Sequence, residues 1–333
     1  MKRQFLILTL HLIMVMIASG CSSTQQEVPV PIPSSTKTES PEPTTSPIPS
    51  KTIKTPTPEY LPGISYFNFE FEGVKRFYMV YVPEGFSQAE TYPLLIYLHS
   101  YGGPPLEGID YAGFDVLADQ FEFLLALPSG KPDWNSGISD NPDWAPPDLN
   151  DIAFLDLMID QISHNFNLHQ DRIYATGFSN GGFMSYKLAC QLSSRIAAVA
   201  SVGGVISEST LAECQPDHPM PVMQIHGTVD SVVKIDGAEG WHTVKDTLDF
   251  WVGKNQCLGQ DIRELEDINP NDNSTVEIIS NTDCKDNSLV VYYNVLGGGH
   301  KWPGADTLDS FTNQDFNASL TIWEFFNGYQ LLP

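Results

Sequence analysis

The sequence is short of positive charge. Lys and Arg together number 17 against 41 Asp and Glu, a formal net charge of −24 over 333 residues. A surface of that sign repels phosphate backbones, so nucleic acid is not expected as a partner. The acidity reads first as a solubility device, with a basic substrate or bound cations as the lesser alternatives. Long apolar runs are also scarce. The N-terminal one, residues 5–17, is shorter than the roughly 20 apolar residues that span a bilayer. There is no internal repeat. No close Cys/His pair suggests a zinc site among the cysteines beyond residue 21, so neither a metal nor an organic cofactor is expected.

What the N-terminus does have is an export pattern. Lys2 and Arg3 precede the apolar run, and Ala18-Ser19-Gly20 stand directly before Cys21. Residues 1–20 therefore read as a signal peptide. Small residues ending in Cys resemble a bacterial lipoprotein cleavage site, with Cys21 as the lipidated residue. Ala18 stands where Leu is usual, and plain secretion is the alternative. Membrane attachment is expected only through lipid on Cys21. Residues 21–59 are rich in Pro, Ser and Thr and have little apolar area with which to offset ordering entropy, so they read as an extended tether. Residues 60–333 form one expected domain. With 41% apolar and 11% aromatic residues, the chain can fill a sizeable core.

Four more cysteines follow: Cys190, Cys214, Cys257 and Cys284. An even number in an oxidising compartment suggests two disulfides, with three connectivities open. The sequential pairing closes short loops and is favoured. Four buried thiols are the alternative.

Along the domain, residues 66–71 and 76–82 read as early strands, antiparallel at a sheet edge. Residues 94–98 and 123–127 are unbroken apolar runs, the pattern of strands buried on both faces of a parallel sheet. Strand patterns at 172–176, 197–202, 222–225 and 288–295 alternate with helical ones at 152–162, 182–192, 241–252 and 320–331. The expected class is α/β, a mainly parallel sheet with helices on both faces.

One segment carries chemistry. Gly177-Phe178-Ser179-Asn180-Gly181 lies between a strand and a helix. On a sharp turn of this kind the serine oxygen is pushed out at the end of the sheet, and glycines two before and two after clear the space around it. The N–H of Asn180 then points at a developing oxyanion. The segment resembles the nucleophile turn of the α/β-hydrolases, which implies that an acid and then a histidine follow the serine along the chain. A serine needs such a base. Of eight histidines only His218, His226, His242 and His300 follow Ser179. His226 ends a strand and leaves no room for an acid before it. His242 falls on an expected helix. His300 sits in a glycine-rich loop after the last strand and is the expected base. Asp230, in the loop after residues 222–225, is the expected acid, with Asp236 next in line. A second oxyanion donor is expected from His99-Ser100-Tyr101-Gly102-Gly103, through the N–H of Tyr101, with His99 orienting that loop. Trp134, Trp144 and Trp302 are candidates for stacking on a substrate ring, with ordinary packing as the competing reading.

Taken together, Gly177-Phe178-Ser179-Asn180-Gly181-Gly182 with Tyr186 and Cys190, His226-Gly227-Thr228-Val229-Asp230, and Gly298-Gly299-His300-Lys301-Trp302-Pro303-Gly304 resemble the secreted polyhydroxybutyrate depolymerase and feruloyl esterase family of α/β-hydrolases. The resemblance runs from about Phe77 to the last helix. It implies a serine esterase with Ser179, Asp230 and His300 as its triad, and disulfides Cys190–Cys214 and Cys257–Cys284. It also implies an ester substrate, feruloyl or acetyl groups on xylan or a short hydroxyacid polyester. The family's oxyanion loop reads His-Gly where this chain has His99-Ser100, a side chain placed to narrow the hole. A serine peptidase on the same fold and a non-catalytic carbohydrate-binding lipoprotein are the alternatives.

Overall fold

The computed structural model describes residues 60–138, 149–307 and 311–332. Contacts divide the chain into Met1–Thr55 and Pro56–Pro333, and every described residue lies in the second unit. The expected signal peptide, Cys21, the expected tether and Trp144 lie outside the described residues.

β1 (Gly63–Phe71) and β2 (Val74–Val82) pair antiparallel. Glu72 and Gly73 between them both have positive φ, 49° and 74°, as a two-residue turn matched to strand twist requires. β3 (Tyr92–Leu98) and β4 (Leu124–Pro128) are the two unbroken apolar runs, buried at every position and parallel to each other. β5 (Leu168–Phe178), β6 (Ala198–Val202) and β7 (Val222–Gly227) extend the parallel set. β8 (Gly259–Glu264) and β9 (Thr275–Thr282) are antiparallel, and β10 (Val290–Leu296) lies between β9 and β7, parallel to β7. The sheet order is β1-β2-β4-β3-β5-β6-β7-β10-β9-β8. Six central parallel strands are thus flanked on each side by an antiparallel pair. The sequence pattern anticipated the pair at the β1 edge and missed the one at the other. β8 is polar and almost wholly exposed, so it carries no apolar signal.

The described helices are α1 (Glu107–Asp110), α2 (Phe114–Phe121), α3 (Asp151–Asn165), α4 (Asn180–Gln191), α5 (Glu208–Glu213), α6 (Val244–Asn255) and α7 (Ala318–Phe326). Short polar side chains start three of the longer ones. Asn150, Thr243 and Asn317 each accept a hydrogen bond from the backbone N–H three residues on, filling one of the donors a helix start leaves open. Consequently α6 begins two residues after His242, which lies ahead of the helix rather than on it.

The alternation of strand side chains makes two cores. Leu94, Ile96, Ile173, Val199 and Val222 pack with Phe154 and Met158 of α3, Met184 of α4 and Trp251 of α6 on one face. Leu95, Tyr97, Tyr174, Ala200 and Met223 pack with Phe114 of α2 and Ile322, Trp323 and Phe326 of α7 on the other. Burying each of the larger side chains contributes about 1.5–3 kcal/mol. Disulfides Cys190–Cys214 and Cys257–Cys284 tie the end of α4 to the residue after α5, and the second residue after α6 to the turn beyond β9. Because the central strands are parallel, the loops that follow β3, β5, β7 and β10 open at one end of the sheet.

Candidate active site

Ser179 joins β5 to α4 with φ 55° and ψ −115°, a left-handed backbone that a residue with a side chain adopts only when its surroundings enforce it. The surroundings are visible. A Cβ on Gly181 would lie 1.9 Å from the carbonyl oxygen of Leu98, and one on Gly177 2.5 Å from the same oxygen. The end of β3 and the serine turn therefore approach so closely that only glycine fits on either side. Ser179 N–H donates to Val202 O of β6, which fixes the turn from its other flank. Asn180 is the first residue of α4, where an N–H has no partner within the helix. Its side chain is fully engaged: Oδ1 accepts from Trp134 N–H at 3.0 Å, and Nδ2 donates to Ser136 Oγ at 2.9 Å.

Asp230 and His300 come together from 70 residues apart. His300 Nδ1 donates to Asp230 Oδ2 at 2.7 Å. Asp230 Oδ1 accepts from the N–H groups of Val232 and Val233, each at 2.8 Å. Burial alone would raise the Asp230 carboxyl. The N–H groups that His226 and His300 turn towards it outweigh this and hold the carboxyl well below the usual carboxylate range. The two loops also lock backbone to backbone. Val229 N–H donates to Gly298 O, and a Cβ on Gly227 would sit 2.2 Å from that same oxygen. The His300 ring lies 4.7 Å from the ring of Phe178, the residue before Ser179, and packs over Gly203, where a Cβ would be 3.2 Å from its Nδ1. Thus the loops after β7 and β10 bring a carboxylate and an imidazole together, and the imidazole lies beside Phe178, the residue before Ser179 in the loop after β5. Asp236 has no bond to His300 among the described residues; Asp230 takes that position.

The loop after β3 is built around two carboxylates. Glu107 accepts from both the N–H and the hydroxyl of Ser100, each at 2.6 Å, and from Tyr97 OH at 3.3 Å. Asp133 accepts from Gly102 N–H at 2.5 Å. The hydroxyl that distinguishes His99-Ser100 from His-Gly is therefore bound to Glu107. His99 is buried. Its Nε2 accepts from Gly130 N–H, so Nδ1 carries the proton and donates to Ser100 O. His99 thus orients the loop.

Two expectations are corrected. Trp134 and Trp302 are 2% and 1% exposed, so neither offers a ring face to substrate. The Trp134 indole N–H donates to His99 O, and that of Trp302 to Ser319 Oγ. Both rings are packing elements beside the site. The exposed apolar groups near the converging loops are instead Tyr101, Val229, Val232 and Phe311. Phe311 O accepts from the N–H of Gly299, next to His300. A second finding had no sequence signal: His226 Nε2 lies 3.4 Å from Asp230 Oδ2 with both side chains fully buried. Among the described residues no group of three or more His, Cys, Asp or Glu is arranged to hold a metal ion.

Residues 149–256 match the phospholipase/carboxylesterase family. NocK of Nocardia uniformis subsp. tsuyamanensis, which carries an esterase name, is 31% identical over 232 residues, covering 65% of this chain and 67% of NocK. Feruloyl esterase D of Neurospora crassa is 26% identical over 77% of this chain and 83% of its own length. The bifunctional acetylxylan esterase/xylanase XynS20E of Neocallimastix patriciarum is 26% identical over 78% of this chain, which spans only 34% of that enzyme. Among solved structures, the ferulic acid esterase AmCE1/Fae1A of Anaeromyces mucronatus superposes with a TM-score of 0.55 at 15% identity, over 85% of this chain and 96% of that one. At that identity the likeness is one of fold.

Proposed function

Since the chain belongs to the α/β-hydrolase family that includes the feruloyl esterases, and is a carboxylic ester hydrolase, we propose that it works as a serine esterase through an acyl-enzyme. The observation that carries this reading is the 2.7 Å bond between Asp230 and His300, with the imidazole 4.7 Å from the Phe178 ring next to the strained Ser179 turn. Ser179 Oγ attacks the ester carbonyl carbon while His300 Nε2 takes its proton. Asp230 holds the Nδ1–H tautomer and stabilises the imidazolium. The tetrahedral oxyanion accepts from the N–H groups of Asn180 and Tyr101. Collapse expels the alcohol, which receives the proton from His300. Water, deprotonated by the same imidazole, then attacks the acyl-enzyme, and the acid leaves Ser179.

The substrate class proposed is a feruloyl or acetyl ester of plant cell-wall polysaccharide, or a short hydroxyacid polyester of the polyhydroxybutyrate type. The likeness to enzymes named for feruloyl and acetylxylan esters supports the first of these. Two disulfides are consistent with work outside the reducing cytosol. The export signal and lipid on Cys21 belong to the same proposal, and the mass of the mature N-terminus tests them.

Ser179→Ala is the decisive variant. It is expected to lower kcat on p-nitrophenyl acetate and methyl ferulate by about a thousandfold or more while leaving the thermal transition in place. A fluorophosphonate should label wild-type Ser179 and not the variant. Retained turnover in Ser179→Ala would sink the assignment. Cleavage of an aminoacyl anilide in preference to both esters would turn the reading towards a peptidase.

A further inference from the structure

Behind Asp230 lies a chain of buried polar groups that the proposed reaction does not use. It starts on α4, where Tyr186 OH donates to Gln224 Oε1 in β7. With its oxygen committed there, Gln224 presents its NH2 group elsewhere. It donates to Gly204 O at 2.9 Å and to His226 Nδ1 at 3.0 Å. An amide NH2 can only donate, so Nδ1 of His226 must accept and the ring proton is confined to Nε2. That Nε2–H donates to Val233 O at 2.7 Å and lies 3.4 Å from Asp230 Oδ2. Val233 in turn donates its own N–H to Asp230 Oδ1 at 2.8 Å. The peptide unit that grips one oxygen of the carboxylate is thus anchored through its carbonyl by His226, while the other oxygen faces His300.

Resting on the Ser179–Asp230–His300 reading, we propose that His226 is a positioning residue for the esterase reaction: held as the Nε2–H tautomer by Gln224, it fixes Val233 and so sets the orientation in which Asp230 presents Oδ2 to His300. The arrangement has a physical purpose. Asp230 sits in a loop, and its bond to His300 must hold direction while the imidazole gains and loses a proton. Three carboxylate contacts come from the backbone and from His300. Of these, the one from Val233 has its backbone secured through a buried side chain whose proton position is not free to change. A few tenths of an ångström at Oδ2 rotate the imidazole, and the transfer from Ser179 is sensitive to that angle.

The test is steady-state kinetics on p-nitrophenyl acetate with full-length protein. His226→Leu keeps the bulk and removes the donor. It is expected to lower kcat about tenfold with KM changed less than about twofold, because ester binding does not depend on the Asp230 orientation. His226→Gln, whose amide reaches Val233 O, should restore most of the loss. In an Asp230→Asn background His226→Leu should add less than a further factor of about two, since the group it positions is gone. A merely structural histidine would instead give the same loss in both backgrounds, or a lowered thermal transition with normal kcat, and either result overturns the proposal. Should His226→Leu fail to fold, Gln224→Met removes the tautomer lock together with the bonds to Tyr186 and Gly204; an unchanged kcat there overturns the proposal equally, as does a loss that persists in the Asp230→Asn background, and a loss of about threefold that disappears in that background supports it. Fluorophosphonate labelling of wild-type Ser179 separates the two levels. Labelling with no effect at His226 defeats the positioning role alone, whereas absence of labelling defeats the reaction on which it rests.

Discussion

His99 shows how one buried ring links the site to solution conditions. Burial lowers its pKa, and that effect prevails over the opposing influence of its Ser100 bond and of Glu107, Asp133 and Asp151. The neutral ring accepts from Gly130 and donates to Ser100, an arrangement that protonation would break. The unfolded chain therefore binds this proton at a higher pH than the folded one. The stability that His99 contributes is complete above its unfolded value of about 6.5 and is lost as pH falls below it. Melting temperature should drop between pH 7.5 and 5, and His99→Asn should flatten that drop while lowering the whole curve. Equal slopes in the two proteins would assign the acid sensitivity to other groups. Asp230 behaves in the other register: with its carboxyl held down by His226 and His300, its contribution persists until pH falls below the ordinary carboxylate range. At this scale the sequence was most informative where spacing encodes backbone strain, as around Ser179, and silent where contact is made in a loop. His226 and Asp230 are four apart, yet only the turn between them brings the side chains together. The buried Arg76–Asp151 pair, 2.6 Å apart, was equally hidden, because 75 residues separate partners that meet only when β2 and α3 pack.

Between elements, the site is a matter of close approach. The end of β3 touches the start of α4 through Leu98 O and Gly181, with no room for a methyl group. Gly181→Ala is expected to push apart the two segments proposed to hold the oxyanion. The cost to stability should be about 1–3 kcal/mol, with kcat reduced far more than KM. Wild-type kinetics in a folded Gly181→Ala variant would mean that this approach does not shape the oxyanion hole. The elements that frame the site were legible because they follow simple rules: unbroken apolar runs for β3 and β4, and a strand–glycine–helix junction for β5 and α4. The β8–β9 pair was not, since β8 faces water and only β9 has alternate buried positions. The two tryptophans were misread for a related reason. Trp302 follows His300 directly, but its ring turns inward, into contact with Tyr97 at 5.7 Å and Phe114 at 6.0 Å. Adjacency in sequence does not decide which face of a loop a side chain takes.

Over the whole molecule, the two disulfides act on stability at a distance from the chemistry. They close loops of 24 and 27 residues, each of which contributes about 3 kcal/mol by restricting the unfolded chain. Cys190 lies near the far end of α4, about 16 Å along the helix from Ser179. Replacing all four cysteines with serine should lower the melting temperature by about 10–20 °C and leave esterase activity at 25 °C within about twofold of wild type. A large activity loss without a thermal shift would contradict that separation.

At one edge the sheet ends at β8, where Asp261 and Arg263 on one face and Glu264 on the other are all exposed. A strand from a second copy would have to strip water from these charges before it could hydrogen-bond alongside. This open edge therefore resists accepting another chain. At high concentration, copies of this hydrolase would not zipper into a common sheet through the β8 edge.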